Sequence, residues 1–408
     1  MADDITLRRS LGLPLIFLYG LGTTIGAGIY ALTGTVAGLA GMQAPVSFGI
    51  AALLATFTAM SFAEFSSRHP RSAGEAIYVR EGTGSAALAT TVGLLVMLSG
   101  TVSSATMATA FVGYLGELVR VPPALAIIVL SLALGSLAAW GIEASVRAAA
   151  LVTIAETGGL LLIVWAARGE LAELPTRAPE LLPALDPRSW GGILTGSVLA
   201  FYAFLGFEDM VNVAEEVRDV RRILPAAILL TLAVTLVIYV VVVTVAVLAV
   251  PPALLAASDA PLSLVYEATS GRSGSTISVI GLLAVVNGSL IQLIMSSRVL
   301  YGLASQGALP AVLSRVHPRT RTPMVATALV TVLVIVLALW LPLTALAAVT
   351  SVITLAVFTV VNFALVRVKA RDPHPVDVWT APSWAPVVGF VVSFGFLVYG
   401  SFRLAAGL

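Results

Sequence analysis

The stretch "GTTIGAGIY", residues 22–30, places three glycines and two threonines inside an apolar segment that runs from about residue 11 to residue 40. Each glycine weakens a helix by about 1 kcal/mol relative to alanine, so the segment reads as a helix interrupted near its middle. An apolar run of this length is too long for the core of a signal peptide. It reads instead as a membrane span.

Composition agrees. Of the 408 residues, 59% are hydrophobic and 11% charged, and the mean hydropathy is +1.02. A soluble domain is about 25% charged, so this chain needs lipid as its solvent. A formal net charge of +1 leaves no basic face for nucleic acid. The absence of cysteine excludes disulfides, thiolate metal sites and a cysteine nucleophile. His69, His317 and His374 fall in polar connectors, which argues against a histidine metal site.

Apolar segments of spanning length recur at about 11–40, 44–66, 86–117, 123–141, 147–167, 191–217, 225–250, 275–304, 323–341, 344–367 and 386–406. These make eleven spans of one all-α membrane domain, residues 1–408. With the N-terminus in the cytoplasm, sixteen of the 22 basic residues lie on that side and six on the other. Trp140, Trp165, Trp190, Trp340 and Trp384 sit near span ends, as interfacial anchors do. The connectors 168–190 and 251–274 are long enough for short surface helices.

A second interruption lies deep in the sixth span, at "AFLGFED", residues 203–209. Spans 1 and 6 are five apart, so they begin two halves of opposite topology. Matching interruptions in two halves are the best sequence pointer to a transporter binding site. Exposed backbone in a membrane is tolerated only against a protein-walled cavity. Freed N–H groups suit a carboxylate, and freed carbonyls suit an ammonium group. A site with both fits an α-amino acid. Two other readings apply to the first stretch. Gly22 and Gly26 form a GxxxG packing motif, which leaves the second break unexplained. A glycine-rich dinucleotide loop would need a preceding strand, and none is expected here.

Four stretches, in this order, resemble the amino acid–polyamine–organocation permeases: "GTTIGAGIY", "FAEFSSRHPRSAGEAIYV" (62–79), "YAFLGFEDMVNVAEEVRDVRRILP" (202–225) and "SRVLYGLASQGALPAVLSRVHPRTRTP" (297–323). The resemblance implies a five-plus-five inverted repeat with discontinuous helices 1 and 6. The repeats would be 1–167 and 191–370, followed by an extra helix at 386–406. The family commonly has twelve helices; eleven are read here, and the second half of the usual final hairpin is missing.

The resemblance also implies site residues. The substrate carboxylate would lie near the amides of Gly26, Ala27 and Gly28, and the amine near the carbonyls of Thr23, Thr24, Tyr202 and Leu205. Ile25, Ala203 and Gly206 complete the two breaks. Tyr202 matches an aromatic gate, with Phe207 as a second aromatic. Ser99, Gly100 and Ser104 match pocket-wall positions, and Gln292 does so more loosely.

Three acids lie within spans: Glu156, Glu208 and Asp209. Ionisable residues at membrane depth are candidates for proton relays. Glu156 stands where family members often carry a lysine, so a lysine-based proton mechanism does not transfer. Its alternative role is a structural partner of a nearby hydroxyl or amide. Glu208 and Asp209 also suit the N-terminus of a resumed half-helix. Glu64, Glu215 and Glu216 suit ion pairs with loop arginines such as Arg68, Arg218 and Arg221. Lys369, the only lysine, is read as lying in a loop.

The resulting expectation is a secondary amino acid transporter of the plasma (inner) membrane, working by alternating access and linked to protons or pH. It needs no cofactor, metal or catalytic residue; its partners are a small-molecule substrate and the bilayer. The alternatives are a polyamine or organic amine carrier and, further off, a receptor or channel with a permease fold.

Overall fold

The computed structural model describes residues 11–70, 74–140, 146–183, 187–373 and 375–407. The first ten residues and His374 lie outside them. The described residues form sixteen α-helices: α1 (Leu13–Thr24), α2 (Ala27–Ala40), α3 (Ala44–Arg68), α4 (Glu75–Thr83), α5 (Ala86–Gly116), α6 (Pro123–Trp140), α7 (Val146–Ala166), α8 (Arg168–Leu181), α9 (Pro187–Tyr202), α10 (Val220–Ala249), α11 (Pro252–Ala257), α12 (Pro261–Ser270), α13 (Ser275–Ser305), α14 (Met324–Trp340), α15 (Leu343–Arg371) and α16 (Ala385–Ala405). Among the described residues, seven helical stretches are long and apolar enough to cross a bilayer, one of them Gly28–Arg68. Taken as one span, α7 and α8, bent by 64°, make an eighth. The chain is an all-α membrane protein.

Helix α5 packs along α13, α3 along α10, and α15 along both α16 and α5. Several hydroxyls within the spans are satisfied locally: Thr33, Thr56, Thr101 and Thr106 each donate to the carbonyl four residues back. That is how a polar residue is tolerated in an apolar helix. The long connectors do carry helices, α8 in the first and α11 with α12 in the second.

Both interruptions are present. Helix α1 stops at Ile25, and α2 starts after Gly26. Helix α9 ends at Tyr202 and passes through turns into a 3-10 segment, Glu208–Glu216. The two interrupted spans are also joined at one end. The Leu11 N–H donates to the Glu216 carbonyl at 2.9 Å, and the Arg218 N–H donates to the Leu11 carbonyl at 2.9 Å.

Lys369 corrects the sequence reading. It lies within α15, which continues to Arg371, and not in a loop. Its ammonium donates to Glu64 at 2.7 Å and to the Ala381 carbonyl at 2.8 Å. Glu64, fully buried on α3, also accepts from Arg68 at 2.8 Å and from the Ala381 N–H at 2.9 Å. A buried carboxylate needs such a full set of partners.

Candidate functional site

The two backbone breaks meet. A Cβ on Gly28 would overlap the Ala203 backbone, so the start of α2 and the end of α9 touch main chain to main chain. Gly206 lies against the Thr23 carbonyl in the same way, and its φ of +120° is a conformation that glycine adopts without strain. Two of the carbonyls freed at the breaks share one donor. The Tyr239 hydroxyl on α10 lies 2.9 Å from the Thr24 oxygen and 3.0 Å from the Ala203 oxygen. Phe48 and Phe204 pack on the Tyr239 ring, with centroids 6.0 and 5.1 Å away.

Beside the second break lies a cavity of about 40 Å³, room for about three waters at 10–15 Å³ each. Leu205, Glu208 and Asp209 line it from the break, and Ser99, Gly100 and Ser103 from α5. Gln292, Thr354, Phe358 and Glu75 close it. The carboxylates are held in place. Glu208 accepts the Gly206 N–H at 2.8 Å, and Asp209 accepts the Gln292 amide at 3.1 Å. Glu208 therefore binds backward into the turn. Burial lifts the Glu75 carboxyl, on the short connecting helix α4, to about 7.

The sequence-predicted residues are distributed unevenly around this cavity. Ser99 bonds Thr354 at 2.6 Å. Tyr202 is buried at the end of α9, and its hydroxyl meets Ser103 at 3.0 Å. Ser104 faces away and bonds Ser289 of α13 at 2.8 Å. Gly100 packs against Gln292 and Ser296. Phe207 is fully buried between Phe62 and Phe358, at centroid distances of 5.9 and 5.5 Å. Thr23 turns its hydroxyl to the Gly20 carbonyl, and Ile25 is core. A Cβ on Gly26 would fit without a clash, in ordinary contact with Met107 Cε at 3.9 Å. The side chain of Ala27 lies outside the described residues.

Glu156 lies apart from this cavity, fully buried on α7. Its backbone carbonyl accepts the Tyr30 hydroxyl at 2.7 Å. The side-chain amide of Asn287 on α13 stands against its carboxyl.

Tyr239, Ser103 and Glu75 are additions from the structure. Ser103 was within reach of the sequence: it is four residues from Ser99 and shares its helix face, whereas Ser104 is turned away. Tyr239 carries no local signal. It sits in an unbroken valine-rich helix, and its partners are 215 and 36 residues away.

Comparison with known proteins fits this geometry. A family model described as amino acid permease matches residues 11–406. The chain belongs to the amino acid permease family. That places it among permeases and not among enzymes. It is 28% identical to the branched-chain amino acid permease BcaP of Bacillus subtilis (strain 168), with 96% of this chain and 88% of that one covered. It is 29% identical to cationic amino acid transporter 4 of Mus musculus, covering 91% of this chain and 61% of the relative. It is 27% identical to the methylthioribose transporter of Bacillus subtilis (strain 168), covering 98% and 89%. The chain thus spans nearly all of the bacterial relatives and about three fifths of the animal one.

Proposed function

We propose that this permease carries amino acids across the plasma (inner) membrane by alternating access. The observation that carries the reading is the meeting of two interrupted spans, main chain to main chain, at Gly28–Ala203 and Gly206–Thr23. A helix restarting at Ala27 presents free N–H groups to a carboxylate, and the ends of α1 and α9 present carbonyls to an ammonium. Relatives named for branched-chain and cationic amino acids support the substrate class. In this reading the chain is a five-plus-five inverted repeat, 1–167 and 191–370, with eleven spans and a cytoplasmic N-terminus. The small cavity belongs to a closed conformation that opens for the substrate.

Coupling is to protons, with Glu156 first and Glu208 and Asp209 next. Glu156 is fully buried on a membrane helix, a setting that suits a group that gains and loses a proton. Glu156→Gln keeps the volume and removes the titration. It is expected to flatten the pH profile of uptake while leaving binding intact. A wild-type profile in both Glu156→Gln and Glu208→Gln contradicts the coupling assignment.

One observation favours a second reading, a carrier of organic amines. Among the described residues, the cavity is lined by three carboxyl groups, Glu75, Glu208 and Asp209, and by no lysine or arginine. A thermal-shift screen of the purified protein separates the two readings. Stabilisation by free amino acids is expected; stabilisation by amines that lack a carboxylate, and not by amino acids, selects the second.

A further inference from the structure

One face of α5 connects two cavities. Stepping by three or four residues, Ser99, Ser103, Met107, Ala110 and Gly113 follow one another along the same side of the helix. Ser99 and Ser103 line the small cavity beside the breaks. Ala110 and Gly113 line a second, wide cavity bounded by α2, the α11–α12 turn, the start of α6 and the α14–α15 turn. Its volume is about 970 Å³, at the upper end of small-molecule sites.

Met107 stands between the two. With Ala31, Ala110 and Val285 it forms a small apolar cluster of its own, and Ala31 and Ala110 at the same time line the wide cavity. On its other side, Met107 Cε is the nearest atom to the Cβ position of Gly26, and Sδ lies 2.8 Å from the Cβ position of Gly288. The other members of the cluster are short. Met107 is the longest of the four, with an unbranched thioether that changes rotamer easily, and Phe111 and Leu343 pack against the same cluster.

We propose that Met107 is the movable barrier between the wide cavity and the backbone breaks, and that its bulk limits which substrate side chains pass. The consequence for substrates rests on the transport reading above; the barrier itself is testable without a substrate. The chain has no cysteine, so one introduced thiol is the only one present. In sealed vesicles, Thr35→Cys in the wide cavity identifies the membrane face from which an impermeant thiol reagent enters. From that face Ser103→Cys, beyond Met107, is expected to react slowly. Adding Met107→Ala is expected to speed it by about tenfold or more, because a barrier open in a minor state of 10% or less hides the thiol for the rest of the time. Met107→Leu, close in volume, keeps it slow. Should Ser103→Cys disturb the Tyr202 bond, Ser99→Cys reports on the same cavity. Equal labelling rates with methionine, alanine and leucine at position 107 overturn the proposal. A failure of the unmodified protein to transport any amino acid overturns the transport reading instead and leaves this labelling ratio unaffected.

Discussion

The hydroxyl of Tyr239 lies 2.9 Å from the carbonyl oxygen of Thr24, across 215 residues of chain. The same hydroxyl reaches the Ala203 oxygen at 3.0 Å, so one side chain on an unbroken helix holds both breaks. A buried carbonyl left without a donor costs about 1–3 kcal/mol. Tyr239→Phe is therefore expected to lower the melting temperature of the purified protein and reduce uptake, with the ring packing retained. An unchanged melting temperature would show that the breaks hold without this bond.

The two glycines flanking Ala27 differ in what they do. Gly28 is pressed against the Ala203 backbone, whereas a Cβ on Gly26 would meet only Met107 Cε, at 3.9 Å. Gly28→Val is expected to prevent the breaks from meeting and to reduce folded yield. Gly26→Ala is expected to fold with near-normal yield and to weaken substrate binding, because the added methyl group enters the space beside the freed amides. Yield by size-exclusion chromatography and affinity by thermal shift check both, and equal yields for the two variants contradict the packing role of Gly28.

Glu75 gives the protein a pH dependence of known sign. Unfolded, its carboxyl loses the proton near 4.5; folded, near 7, because burial penalises the charge. Between those values the folded state holds a proton that the unfolded state has lost, so this group's contribution to stability falls as pH rises through the window. The loss is on the order of 3 kcal/mol above pH 7. Glu75→Gln is expected to remove this part of the slope and to raise the melting temperature at pH 8 relative to the unmodified protein. An unaltered difference in melting temperature between pH 5 and pH 8 would place the carboxyl in water.

The buried pair of Glu64 and Lys369 ties α3 to α15 at one end of the bundle. Removing one partner of such a pair costs about 3 kcal/mol or more. Lys369→Met is expected to destabilise the protein clearly, and Glu64→Gln combined with Lys369→Met less than the sum of the two single changes. Additivity of the three melting temperatures would mean that the pair is not coupled.

The interruptions were legible because glycine-rich stretches are conspicuous inside apolar spans, and their role as a meeting point follows from backbone chemistry. Lys369 was misplaced because hydropathy drops near residue 367 while α15 runs on to Arg371, sheltering a charge that Glu64 neutralises. Ser104 came from the family resemblance and bonds Ser289 of α13, while Ser103, four residues from Ser99, lines the cavity. Tyr239 and the Met107 cluster depend on contacts between distant helices, and no local pattern announces them.

Counterflow in proteoliposomes tests the central claim most directly. Vesicles holding the purified protein and preloaded with an unlabelled amino acid mixture are placed in a trace of labelled amino acid. The account predicts transient accumulation of at least one labelled amino acid above protein-free vesicles, with the signal reduced by Gly26→Ala. Folded protein that gives no accumulation of any amino acid, at any pH between 5 and 8, would contradict it.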